Sequence, residues 1–201
     1  MSTHHTHSRE RVHEEALAAD SRTVFGFWLY LMSDLVLFSG LFATYVVLRA
    51  DPMFGSANGP VLGGSFVLIE TLVLLLSSIM CGIALYAARS ANKRGTLLAL
   101  LGTGILGGLF LYMECTEFAH LLATGNGWNV SGYLSAYFVL LGTHALHILI
   151  GLVWLLALMI SISIRSLSRS SMRKLALWSM FWHFLDIVWL FIFLIVYLLP
   201  L

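Results

Sequence analysis

Charge is what this sequence has least of. Only 10% of its 201 residues are Asp, Glu, Lys or Arg, against about a quarter in soluble domains. That scarcity excludes a large soluble domain, whose surface needs charge to stay in water. The formal net charge is +1, so no excess of one sign points to nucleic acid as a partner. Cysteine is nearly absent. Cys81 and Cys115 both fall in apolar stretches, which argues against a secreted disulfide framework. The first 23 residues contain no apolar run. A cleavable signal peptide is therefore not expected, and the first apolar segment is expected to target the chain.

Long hydrophobic runs dominate instead. Hydrophobic residues make up 59% of the chain, and mean hydropathy is +0.90. Five segments are long and apolar enough to cross a bilayer, at about 24–48, 65–88, 95–120, 133–164 and 175–199. The expected fold is all-α, a polytopic bundle of five transmembrane helices behind a polar tail, 1–23. Asp51-Pro52 and a Gly/Asn/Pro cluster mark the first loop, and Arg89–Arg94 a short basic turn. Gly104 and Gly108, four residues apart in the third segment, would permit close approach of another helix. No inverted repeat of the transporter kind is visible.

The basic residues set an expected orientation. With five spans, the tail, second loop and fourth loop share one side, and ten of the eleven Lys and Arg residues lie there. That side is expected to be cytoplasmic, with the C-terminus periplasmic.

Ionisable residues inside the segments carry the functional question. An Asp at a helix centre costs roughly 2.5–3.5 kcal/mol on insertion scales. Counting about 1.5 Å per residue, Asp34, His144, His147, His183 and Asp186 fall in a mid-membrane layer. Glu70, Glu114, Glu117 and His120 fall in a second layer towards the outside. Four readings compete. His144 or His147 facing His183 would place two haem ligands on different helices, but matched depth is all that favours it. Glu117 and His120 form one Glu-x-x-His element, where a carboxylate-bridged metal pair needs two. A proton pathway is open, although the cytoplasmic half lacks ionisable groups. Residues taken alone favour the fourth reading, in which buried polar groups pair between helices and fix their register. His4, His5, His7 and His13 in the tail read as solvated, since scattered histidines without a scaffold make a weak metal site. Trp28, Tyr30, Trp154, Trp178, Trp189 and Tyr197 read mostly as interfacial or lipid-facing anchors.

Particular strings add a resemblance. Trp182-His183-Phe184-Leu185-Asp186-Ile187-Val188-Trp189 resembles the last helix of subunit III of the haem-copper respiratory oxidases. Gly142-Thr143-His144-Ala145-Leu146-His147 is similar to that family's Gly-x-His-x-Leu-His helix, Glu117 to its Glu at the end of the preceding helix, and Met32-Ser33-Asp34-Leu35 to its helix with an intramembrane carboxylate, here Asp rather than Glu. Phe25-Gly26-Phe27-Trp28 and Leu41-Phe42-Ala43-Thr44-Tyr45 look most like the ubiquinol-oxidising, bo-type branch, as do the His-bearing tail and the five-helix length. The resemblance implies a non-redox subunit of a proton-pumping oxidase in a bacterial cytoplasmic membrane. It implies no catalytic, cofactor or metal residue in this chain, with haem b, haem o and copper in subunit I and ubiquinol as the substrate of the complex. Subunit I would be the main partner, with subunits II and IV and membrane phospholipids besides. A subunit of a menaquinol or cytochrome c oxidase is a near alternative, and an independent proton-linked transporter a distant one.

Overall fold

A computed structural model describes residues 3–50, 64–165 and 168–198. Five α-helices follow in order: α1 (Thr3–Ala50), α2 (Gly64–Arg89), α3 (Lys93–Ala123), α4 (Gly132–Arg165) and α5 (Arg169–Ile192), the last continuing as a π-helical turn, Phe193–Leu198. All five hold a stretch long and apolar enough to cross a membrane, as the hydropathy pattern predicts. Among the described residues there is no strand.

The chain divides into two units, Met1–Leu37 and Phe38–Leu201. The first is the N-terminal part of α1. Its backbone is already helical through most of the polar stretch expected as a tail. Glu14-Glu15-Ala16-Leu17-Ala18-Ala19 accounts for this, since these are among the best helix formers. The side chains of His4, His5, His7 and His13 lie outside the described residues. Leu31 and Asp34, three residues apart and so on one helix face, are both buried.

In the second unit α2 packs on α3, α3 on α4, α4 on α5 and α5 back on α2, a four-helix bundle. The C-terminal part of α1 lies along α4 and the end of α5. The hydroxyls of Tyr45 and Tyr133 are 3.2 Å apart, Phe42 meets Phe191 with ring centroids 6.4 Å apart, and Arg49 donates to the carbonyl of Ile195.

Short polar residues set the helix ends. Asn92, Ser131 and Ser168 accept from the backbone N–H of Gly95, Leu134 and Ser171, which satisfies donors that a helix start leaves unpaired. Helices α2 and α3 end alike. Asn92 N–H reaches back to Ala87 and Ala91 N–H to Ala88, while Asn126 N–H reaches Leu121 and Gly125 N–H reaches Leu122. This paired closure puts its central residue in the left-handed region. Gly125 sits there at φ 80, but the other end uses Ala91 at φ 55.

The bundle centre is built on Trp182. A Cβ added to Gly107 of α3 would meet its ring at 2.7 Å, and one added to Gly151 of α4 would meet it at 3.0 Å. Glycine at both positions therefore leaves the slot that the indole fills. Of the expected Gly104/Gly108 pair, only Gly104 packs closely on a neighbouring helix. A Cβ on Gly104 would meet Leu155 at 3.1 Å, but nothing lies within 4 Å of one on Gly108. Gly107 packs more closely still.

Candidate functional site

Polar side chains run along the seam between α2 and α5. Trp189 Nε1 donates to Thr71 Oγ1 (3.1 Å), Trp182 Nε1 to Ser77 Oγ (3.0 Å) and Cys81 Sγ to Ser179 Oγ (3.3 Å), and Ser78 Oγ lies 2.7 Å from His183 Nδ1. From Thr71 to Cys81 the α2 partner advances ten residues, while the α5 partner retreats ten, from Trp189 to Ser179. That is the register of an antiparallel pair, and four side-chain contacts hold it. Trp178 Nε1 extends the pattern to α4 by donating to the carbonyl of Gly151 at 2.9 Å. Trp178, Trp189 and Tyr197 are thus core residues, buried at 0%, 1% and 5% exposure, and not the interfacial anchors the sequence suggests. The buried indole N–H needs an acceptor, and Thr71, Ser77 and the carbonyl of Gly151 supply one each.

The expected mid-membrane layer separates into distinct environments. His183 and Asp186 share a face of α5, 3.5 Å apart, with the His183 side chain 44% exposed and that of Asp186 8%. His144 lies elsewhere, fully buried. Its ring stacks on Trp189 at 5.3 Å and meets Phe110 and Phe38 edge-on at 5.9 and 6.3 Å. Neither ring nitrogen has a hydrogen-bond partner. His144 is 0% exposed among those three rings, which leaves no open space beside it for a porphyrin, so the packing does not fit haem ligation by His144. His147 Nδ1 lies 2.7 Å from the carbonyl of Thr143, one turn back on its own helix. Asp34 is buried in the first unit.

The second layer does assemble. Glu114 and Glu117 share one face of α3, and Glu70 approaches from α2. One carboxylate oxygen from each lies within 4.8 Å of the others, and all three residues are buried. Tyr137 of α4 and Tyr197 of the π-helical turn both donate to Glu117 Oε1, at 2.6 and 3.0 Å, and their hydroxyls are 2.9 Å apart. His120, one turn further along α3, is exposed and stands outside the cluster. The Glu-x-x-His element is therefore split between the inside and the surface. The sequence did not single out Tyr137, and it singled out Tyr197 only as an anchor. The signal for Tyr137 was its place on the α4 face that carries other buried positions, four residues before Leu141.

This arrangement makes a scaffold of interhelical hydrogen bonds and one carboxylate cluster. It contains no pair of histidines facing one another across helices among the described residues. The family model of cytochrome c oxidase subunit III matches residues 10–200. The chain is similar to the cytochrome bo(3) ubiquinol oxidase subunit 3 of Pseudomonas aeruginosa, 45% identical over 92% of this chain and 89% of that protein. It is also similar to the protein of that name from Buchnera aphidicola (38% identical; 89% of this chain, 92% of the other) and to the quinol oxidase subunit 3 of Bacillus spizizenii (39%; 89% and 87%). With nearly the whole length matched, this chain belongs to the cytochrome c oxidase subunit III family.

Proposed function

We propose that the chain is the non-redox accessory subunit III of a bo-type ubiquinol oxidase in a bacterial cytoplasmic membrane. The complex oxidises ubiquinol and reduces oxygen to water, with haem b, haem o, copper and the quinol chemistry in subunit I. This chain lends assembly, lipid contacts and sustained turnover. Its tail and its second and fourth loops face the cytoplasm and its C-terminus the periplasm. The observation that carries the reading is end-to-end similarity to subunits named for ubiquinol oxidases. The histidines add support, since His144 is caged by aromatic rings and His147 is turned to its own backbone.

The face carrying His183 is the proposed contact with subunit I, with subunits II and IV completing the complex. An imidazole left against hydrocarbon is costly, and membrane proteins hold such groups against other protein. The test is purification in mild detergent through a tag on this chain, followed by a reduced-minus-oxidised spectrum and a quinol oxidase assay. Co-purifying larger subunits, haem bands and quinol-dependent oxygen uptake are expected. A chain that emerges alone and colourless would overturn the proposal and turn attention to transport. Active alkaline phosphatase fused to the C-terminus, and inactive enzyme fused to the fourth loop, is the expected topology result.

A further inference from the structure

We propose that Glu70, Glu114 and Glu117 form a binding site for a hard divalent cation, held between α2 and α3. All three carboxyl groups offer an oxygen to one locus, with those atoms within 4.8 Å of one another. Two oxygens on opposite sides of one ion stand about twice the bond length apart, roughly 4.6–5.2 Å for calcium and 4.0–4.2 Å for magnesium. Oxygens within 4.8 Å of one another can therefore share one such ion. An all-oxygen ligand set selects hard ions over copper or zinc.

The unsatisfied state of these side chains is the second observation. Glu70 and Glu114 are both 0% exposed. All four of their carboxylate oxygens, and Oε2 of Glu117, are buried with no donor from the rest of the chain, and Glu70 and Glu114 have only each other to bond. Buried polar atoms are rarely left so, and a buried carboxyl needs a positive partner or a proton. No Lys or Arg among the described residues pairs with any of the three. The groups acting on the cluster are its own carboxylates, Tyr137 from α4, Tyr197 from the end of α5, and Cys115 and His120 from α3. The two tyrosines hold Glu117 by Oε1 alone. This is how an outer shell of hydrogen bonds orients a metal-binding carboxylate while leaving its other oxygen available. Entry is short. Glu70 is six residues from the start of α2 and Glu117 six from the end of α3, about 9 Å from the helix ends.

The site rests on this chain's residues and is independent of its place in an oxidase. The experiment is elemental analysis for calcium, magnesium and manganese on the purified, tagged complex after exchange into metal-free buffer. It is run on wild type, Glu70→Gln and Glu114→Gln, so that ions held by other subunits cancel in the difference. Manganese EPR on the wild type serves as a probe that needs no variant. A stoichiometric ion present in wild type and absent from both variants is the expected result, with calcium raising the melting temperature of wild type only. Equal metal in all three proteins, or a wild type that takes up neither calcium nor manganese, overturns the proposal. So does an infrared band of protonated carboxylic acid that is present in metal-free and calcium-treated wild type alike and is lost in Glu114→Gln, because protons would then fill the role assigned to the ion.

Discussion

Trp182 shows how much a single side chain organises here. It contacts three helices, through Ser77 on α2, Gly107 on α3 and Gly151 on α4. Gly107→Val is expected to abolish assembly, because even a Cβ there would sit 2.7 Å from the indole. Gly108→Val, with nothing within 4 Å, is expected to assemble normally. Yield of assembled complex from the two variants checks both. The sequence alone could not choose between these glycines, since a four-residue spacing favours Gly108 equally well and only the partner's bulk decides. His144 yields the opposite expectation. Its two nitrogens are buried and unpartnered, so replacement by an apolar residue removes a desolvation penalty without breaking a bond. His144→Leu is expected to keep the melting temperature or raise it. A loss equivalent to more than about 2 kcal/mol would mean that the imidazole has a partner in the assembled complex.

The five helices were legible as elements, because hydropathy alone demands them. Their faces were not. A tryptophan in a membrane segment serves equally as an interfacial anchor or as a buried donor, and only Thr71, Ser77 and Gly151 on the neighbouring helices show that Trp189, Trp182 and Trp178 turn inward. Tyr137 was missed and Tyr197 was read as an anchor for the same reason. The α2–α5 register can be tested chemically. Cys81 Sγ and Ser179 Oγ are 3.3 Å apart, so Ser179→Cys, with Cys115 replaced by Ser, is expected to form an intramolecular disulfide on mild oxidation. Mass spectrometry of the linked peptides reads it. Free thiols throughout would mean that the helices pair in another register. The turn after α2 gives a second element-scale expectation. Ala91 holds φ 55, a conformation that costs an L-residue roughly 1–2 kcal/mol. Ala91→Gly is expected to raise stability by up to about 1 kcal/mol, the remainder being lost to the freer unfolded chain, as thermal melting of the complex would register.

For the whole molecule, the two polar layers divide between inward and outward tasks. The carboxylate cluster and the tryptophan seam face into the bundle; the seam is completed within this chain, and the cluster by the proposed ion. The His183 patch is not completed within the chain. Its imidazole is 44% exposed at a depth where lipid offers no hydrogen bond. Its inner side is already committed to Ser78 and Asp186. What remains open faces away from the chain, towards the place assigned to subunit I. His183→Ala is therefore expected to leave the fold standing, because the Trp182 and Trp189 bonds persist, and to weaken association with the oxidase. The amount of this chain retained per haem during detergent washing measures that. The haem spectrum of whatever enzyme remains is expected to be unchanged. In the same preparations Glu117→Gln, whose site is wholly internal, is expected to leave turnover per assembled complex intact. A fully assembled but uncoupled Glu117→Gln enzyme would move the carboxylate cluster out of the structural account and onto a proton route. A His183→Ala chain that stays bound but shifts a haem band would place this face against a cofactor rather than against a supporting helix.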